Sequence, residues 1–462
     1  MKTMVENKDM MFTVGEIGEI LGARMEGTPE FRRAPISGVK IDSRLVGSGD
    51  LFIAIRGEKH DGHDYVHSAF ANGAAAAVVS REIAPGRDFT GNNVFMVEDT
   101  VYALGQIAKY YRSKMTAEVI AVTGSNGKTT VKNLVYEVIS RKASTIKSQR
   151  NYNNFFGLPL SIFQIKDETD YAVFELGMSR RGEISRLGEI SLPDVAVITN
   201  VGPVHLEFFN NLEDIASAKL EIIDRIKSGG VLIVNGDDDF LREVKTDRNL
   251  KIIKFGLSYN NDIYPADLEF GENQLPRFKI NGTDFKLAFP GVHNVYNAVA
   301  AFSVAVAEGI DSLTAAEAIS GFQPEGMRSQ VFRKSGILFF VDCYNANPVS
   351  MKYAIDTLAL MKCDGRRIAV LGDMLELGNG SELFHREVGK HAKKAEIDQV
   401  MAYGELSGHL IAEFGKNGEH FGDKMKLYSR LKNLVKKGDL VLFKGSRGMA
   451  LEEIAEKLMK AV

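Results

Sequence analysis

Short apolar runs, several of which stop at Gly, Asn or Asp, recur along the whole chain. They lie at residues 38–44, 51–55, 75–79, 118–122, 171–176, 195–200, 231–235, 337–341, 367–371 and 440–443. Continuous runs of this length, bounded by turn residues, read as buried strands. Helical patterns separate most of them. The clearest are at 14–21, 103–113, 131–140, 294–307, 350–361, 383–394 and 426–436, with others around Ala315 and from Ala450 onward. Strands alternating with helices predict mostly parallel, doubly wound sheets. Residues 250–289 break the rhythm with shorter alternating strands and turns, which reads as an appended β-ribbon.

With ~150 residues per domain, the 462 residues predict three domains. The expected division is a small N-terminal α/β domain over 1–100, a central domain over 101–323 and a C-terminal open-sheet, nucleotide-binding-like domain over 324–462. The segment Gly321-Phe-Gln-Pro-Glu-Gly326 reads as the second linker. Lys plus Arg number 57 against 60 Asp plus Glu, so the chain has no global basic field. That argues against a nucleic-acid or membrane-surface binder. Two cysteines, Cys343 and Cys363, exclude a disulfide scaffold and a cysteine-rich zinc site. No apolar run approaches the ~18 residues of a membrane span, and residues 1–12 lack a signal-peptide core. A cytoplasmic protein without membrane insertion is expected, and a monomer by default.

The sharpest local signal is Gly124-Ser125-Asn126-Gly127-Lys128-Thr129-Thr130, placed between an apolar strand and a helix. This is the context of a phosphate-binding loop, in which backbone N–H groups and a helix N-terminus face the phosphates. Lys128 would neutralise the terminal phosphates and the Thr129 hydroxyl would ligate Mg²⁺. Val122 stands where the usual first glycine belongs, so the loop is a shorter G-x-x-G-K-T form.

The T-G-S-N-G-K-T-T form resembles the Mur ligases, a family of ATP-dependent amide-forming enzymes of peptidoglycan synthesis. Other blocks agree with the resemblance. They are Phe174-Glu-Leu-Gly-Met-Ser-Arg-Arg-Gly-Glu-Ile184, Asn200-Val-Gly-Pro-Val-His-Leu-Glu207, Ala218-Lys-Leu-Glu-Ile222, Gly291-Val-His-Asn-Val-Tyr-Asn-Ala298 and Gly326-Met-Arg328. In the last, Met327 replaces the familiar glycine before the arginine. Asp42-Ser-Arg44, Gly49-Asp-Leu-Phe52 and Asp61-Gly-His63 resemble family members that act on longer muramoyl peptides. Asp342-Cys-Tyr-Asn-Ala-Asn-Pro348, Gly372-Asp-Met-Leu-Glu-Leu-Gly378 and Lys444-Gly-Ser-Arg447 resemble the D-alanyl-D-alanine-adding branch, with Cys343 where Ser or Asp is more usual. The resemblance spans nearly the whole chain.

It implies ligation of D-alanyl-D-alanine to UDP-N-acetylmuramoyl-tripeptide through an acyl phosphate, with ATP and two Mg²⁺. One Mg²⁺ would use Thr129 and Glu175, and the other His205 and Lys219, the latter carbamylated. Asn294 and Asn297 would reach adenine, Arg328 the γ-phosphate and Asp342 the ribose or phosphates. Tyr344, Asn345, Asn347, Lys444 and Arg447 would hold the dipeptide. Ser43 and Arg44 would hold the UDP moiety, and Asn151, Asn153 and Asn154 the muramoyl peptide. Without the resemblance, Lys219 reads as a solvated helix lysine, His205 as a structural histidine and Asn294 as a helix cap. Two other readings stay open: another Mur-type amino-acid ligase, and a P-loop NTPase switch that turns over ATP without an amine acceptor. The distribution of residues over two domains predicts closure of the third domain over the second, excluding water from the acyl phosphate.

Overall fold

A computed structural model describes residues 10–23, 25–26, 32–80, 93–271 and 274–462. The chain forms two compact units: residues 1–121, 144–177 and 185–194, and residues 122–143, 178–184 and 195–462.

The first unit holds a five-stranded sheet ordered Met25–Glu26, Val94–Val97, Ala76–Ser80, Asp50–Ile53, Gly38–Lys40. All its pairs are parallel except the edge pair Met25–Glu26 with Val94–Val97. The expected strand over 38–44 ends at Lys40 and gives way to a 3₁₀ turn, Ser43–Leu45, because the Asp42 carboxylate accepts the Arg44 N–H. The helix Thr100–Lys114 is capped by Asp99, whose carboxylate accepts two backbone N–H groups. Tyr111 on its inner face packs edge-on to Phe163 at 5.7 Å and meets Phe12 at 5.7 Å. The same unit carries the strand Thr145–Lys147 beside Tyr171–Glu175, in parallel register.

The second unit contains the parallel strands Val195–Ile198, Val231–Asn235 and Lys251–Phe255. The last of these corrects the expected ribbon: Lys251–Phe255 belongs to the parallel sheet as an edge strand. Only Ala266–Phe270, Pro276–Ile280 and Thr283–Lys286 form an antiparallel meander. Its tight hairpin is set by Asn281-Gly282, both at positive φ (51° and 78°), the backbone a two-residue type I′ turn requires. Phe278 stacks on Phe285 at 5.3 Å, and Phe285 meets Phe302 edge-on, which fixes the meander to the helix Val292–Ala307. That helix is apolar on nearly every face and accordingly buried, packed against Lys128–Ile139.

The C-terminal part of this unit is a six-stranded sheet ordered Gln330–Lys334, Ile337–Val341, Leu440–Lys444, Arg367–Gly372, Gln399–Tyr403, Gly418–Phe421. Only the first pair is antiparallel. Two apolar cores cover its faces, one around Phe340, Met351, Leu371 and Leu442, the other around Phe339, Val370, Val441 and Leu458.

Candidate active site

The strand Glu118–Thr123 leads into the phosphate loop, and the helix Lys128–Ile139 leads out of it. Gly124 and Gly127 have φ of 142° and 84°, where an L side chain is disfavoured. Space forbids one as well: a Cβ at Gly124 would overlap Thr199 Oγ1, and one at Gly127 would overlap Asn297 Oδ1. The loop is strapped to the next strand end. Ser125 N–H donates to Asn200 O at 2.9 Å, and Asn126 N–H to Asn200 Oδ1 at 2.9 Å. Thr199 Oγ1 and Asn200 Nδ2 donate to Asn126 O at 2.6 and 3.1 Å. Gly202 N–H donates to Ser125 Oγ at 2.9 Å. Lys128 Nζ folds back over the loop to Gly124 O at 2.8 Å. Gly127 supplies no side-chain cap to the helix that begins at Lys128, and Thr130 is buried in that helix's first turn.

Two further groups stand near Lys128. Lys219 lies in the last turn of the helix Leu212–Leu220 and is 2% exposed. Burial, reinforced by the charge of Lys128, pushes its ammonium well below the usual lysine range. His205 has a left-handed backbone, φ 54°. Burial holds its imidazole below the usual histidine value, the charges of Lys128 and Lys219 add to that, and Glu376 opposes it. Its Nδ1 lies 2.8 Å from Glu376 Oε2, in an approach not aligned as a hydrogen bond. Glu376 belongs to the Gly372–Gly378 block, and the sequence reading assigned it no role.

Arg328 reaches the loop from the linker: Nη2 donates to Thr129 Oγ1 at 3.0 Å, and its guanidinium lies over the Tyr344 ring at 3.8 Å. Tyr344, expected to hold the dipeptide, thus positions Arg328. Asn347, also expected there, caps the helix Pro348–Leu360 in a capping box with Ser350, and its Nδ2 donates to Asn126 Oδ1 at 2.6 Å. These bonds join the C-terminal segment to the phosphate loop within one compact unit. Asn347→Ala is therefore expected to lower unfolding stability by about 1 kcal/mol and to raise the KM for ATP. Asn347→Asp keeps the cap acceptor and replaces the donor to Asn126 Oδ1 by a carboxylate oxygen. Denaturant melts should place it near wild type while its KM for ATP still rises.

Lys444 does not face solvent. It is 2% exposed and donates to Asp342 Oδ2 at 2.7 Å and to Asn345 O at 3.1 Å. Its charge is committed to Asp342, whose Oδ1 accepts the Ser329 N–H at 3.1 Å. Lys444 thus ties strand ends together, and a buried ammonium this well paired is not available to a dipeptide carboxylate. Arg447 is exposed and pairs with Glu452, and Asn345 is exposed with its Oδ1 turned to Ala346 N–H. Asn294 and Asn297 are buried: Asn294 Nδ2 donates to Pro290 O at 2.7 Å, and Asn297 Nδ2 to Asn294 Oδ1 at 3.0 Å. Asn297 backs the phosphate loop at Gly127. Burial pushes the Cys343 thiol up to about 12, so it is no nucleophile at neutral pH.

In the first unit, Glu175 ends the strand Tyr171–Glu175 and is 2% exposed. Asn153 Nδ2 donates to its Oε1 at 2.8 Å, and Ser148 Oγ accepts its N–H. Asn153 orients Glu175, Asn154 Oδ1 accepts the N–H groups of Phe156 and Gly157, and Asn151 is exposed. Ser43 is buried, whereas Arg44 is exposed and bidentate to Asp42. In the Asp61-Gly-His63 block, His63 Nε2 accepts the Ser80 N–H at 2.9 Å. That leaves Nδ1 as the donor to Asp61 at 2.6 Å, a structural pairing. Among the described residues no group of three or more His, Cys, Asp or Glu forms a ready metal site, and no helix is long and apolar enough to cross a membrane.

Comparisons with known proteins match most of the chain. Residues 35–112 match the model for the Mur ligase family catalytic domain, 122–305 the Mur ligase middle domain and 327–447 the Mur ligase glutamate ligase domain. The chain is 39% identical over 458 residues to the UDP-N-acetylmuramoyl-tripeptide–D-alanyl-D-alanine ligase of Bacillus subtilis, covering 97% of this chain and 98% of that one. It is 34% identical to the enzyme of the same name from Escherichia coli, covering 97% and 98%. Among solved structures, MurF from Acinetobacter baumannii superposes with a TM-score of 0.89 at 31% identity, covering 97% and 99%. MurF ligase from Thermotoga maritima, solved in complex with ADP, superposes at 0.82 and 31%, covering 92% and 97%.

Proposed function

The chain belongs to the Mur ligase family, and from that premise we propose that it joins D-alanyl-D-alanine to UDP-N-acetylmuramoyl-tripeptide at the expense of ATP, yielding the pentapeptide, ADP and phosphate. The full-length likeness to ligases of that name carries the reading. In our reading residues 1–100 take the UDP substrate, 101–323 ATP and 324–462 the dipeptide. We read the chain as a cytoplasmic monomer, acting where ATP is supplied.

The reaction must bring a carboxylate up to a triphosphate, and fixed cations must offset their repulsion. The strapped backbone of residues 124–127 and the uncapped start of the helix at Lys128 suit the β- and γ-phosphates. Lys128 supplies a charge already held over that loop. Arg328, braced on Tyr344, brings a second cation to Thr129. Asn126 and Asn347 close the site on the side of the third domain.

Magnesium fits this donor set on one condition. Lys219 as an ammonium would repel a cation. Its environment already favours the neutral amine, and a neutral amine is the form that adds CO₂ to give an anionic carbamate. Carbamylated Lys219 and His205 would then hold one metal and the Thr129 hydroxyl would face the other, and these ions would supply charge neutralisation at the transferred phosphoryl group. Glu175 keeps its reading as a magnesium carboxylate on the strength of its sequence block, oriented by Asn153. Product mass tests the reading. Full-length enzyme with ATP, Mg²⁺, UDP-N-acetylmuramoyl-tripeptide and D-alanyl-D-alanine is expected to yield a species heavier by the dipeptide less one water. A product carrying any other amino acid keeps the chemistry and overturns the branch.

A further inference from the structure

The Gly372–Gly378 block has no task in the reading above, yet its conformation is heavily specified. The Asp373 carboxylate accepts the N–H groups of Leu406 and Ser407 at 3.2 and 2.7 Å, and its carbonyl accepts Ser446 N–H at 3.1 Å. Met374 N–H donates to the buried His385 Nε2 at 3.0 Å, while His385 Nδ1 donates to Ser381 O at 2.7 Å. Leu375 N–H donates to Ser446 Oγ at 2.9 Å. On this fixed loop the Glu376 side chain is 59% exposed, and its backbone takes φ 62°. No core packing asks for a glutamate there, and a non-glycine residue at that φ is uncommon. Its partner His205 is also left-handed, and the two side chains meet at 2.8 Å. The backbones abut as well: a Cβ at Gly378 would stand 3.2 Å from Glu207 Cα. Strained residues held by an over-determined frame mark function more often than accident.

We propose that Glu376 is a positioning residue for the metal site: its carboxylate accepts a hydrogen bond from Nδ1–H of His205 and fixes the imidazole so that Nε2 is left to ligate magnesium. The inference rests on the reading of His205 as a magnesium ligand. The separation is already that of a hydrogen bond, and misaligned bonds of this kind commonly tighten when a site is assembled. A carboxylate behind a ligating histidine sets its tautomer and raises its basicity. Here that carboxylate comes from the C-terminal segment, whereas His205 comes from the loop after the strand Val195–Ile198. Metal affinity and the seating of the C-terminal segment on the phosphate loop are therefore linked, and each strengthens the other.

The test uses full-length Glu376→Ala, Glu376→Gln and His205→Ala, with Mn²⁺ titrated by electron paramagnetic resonance in the presence of a non-hydrolysable ATP analogue. Glu376→Ala is expected to weaken Mn²⁺ about 10–100-fold, to leave metal-free analogue binding within about twofold, and to shift the His205 ¹⁵N resonances away from the Nδ1–H tautomer. Glu376→Gln, whose amide oxygen can still accept the proton, should fall between Ala and wild type. Wild-type Mn²⁺ affinity in Glu376→Ala, with affinity lost in His205→Ala, overturns the role of Glu376 and leaves the ligand reading standing. Wild-type affinity in His205→Ala overturns the ligand reading and this inference together. Equal loss of metal-free analogue binding in Glu376→Ala also overturns it, since a role through His205 does not act on nucleotide alone.

Discussion

Replacing Lys219 by methionine is expected to abolish ligation while leaving the protein at least as stable as wild type. The two effects separate because the side chain is buried and its charge is unfavourable there. Methionine fills similar volume without a charge to desolvate, and replacing a buried ion by an apolar residue of similar size is often neutral or stabilising. Activity should fall at least about a hundredfold, because a metal that neutralises the transferred phosphoryl group is worth several kcal/mol and each ~1.4 kcal/mol is tenfold in rate. The pH dependence has a definite sign. The amine has a depressed value in the folded protein and an ordinary one unfolded, so between the two the unfolded chain binds more protons and stability rises with pH. CO₂-free wild type should therefore gain stability as pH rises from the depressed folded value toward ~10.4, the unfolded lysine value, and Lys219→Met should lose that slope. Thermal melts across this range check it. A variant that loses several kcal/mol of stability but keeps its activity contradicts the account.

Lys128→Met is expected to lower kcat by about 10²–10³-fold, the usual cost of removing one preorganised donor from a developing negative charge. Its ammonium bonds two carbonyls of its own loop, Gly124 O and Ser125 O, so the fold does not depend on it for packing. Circular dichroism should be unchanged. Removing Lys128 also removes a neighbouring positive charge from His205 and Lys219. The His205 imidazole should then titrate higher, toward the ordinary histidine value, which an NMR titration can read.

The phosphate loop was legible in sequence because its chemistry is local. Two glycines, a lysine and a threonine at fixed spacing between an apolar strand and a helix leave few alternatives. The long strands were legible for the same reason. Lys251–Phe255 was not. Its Lys-Ile-Ile-Lys-Phe run carries two lysines because it lies at a sheet edge, and that mixed pattern mimics a ribbon strand. The strand Gln399–Tyr403 escaped notice because Met and Ala carry little strand signal between two helices. Lys444 gave a misleading signal: a lysine closing an apolar strand looks like a cation offered to a ligand, and only the fold reveals Asp342 beside it. Tyr344 and Asn347 were read as dipeptide contacts, whereas their partners in the fold, Arg328 and Asn126, are 16 and 221 positions away in sequence. Glu376 lies in a quoted block, yet its left-handed backbone and its approach to His205 are properties of three dimensions alone.

The central claim is that this site couples ATP cleavage to amide formation, and phosphate release measures that coupling directly. Purified full-length enzyme with ATP and Mg²⁺ should release phosphate only when UDP-N-acetylmuramoyl-tripeptide and D-alanyl-D-alanine are both present, one phosphate per pentapeptide formed. Phosphate release at the same rate without either substrate would contradict the account and make the chain an ATP-driven switch.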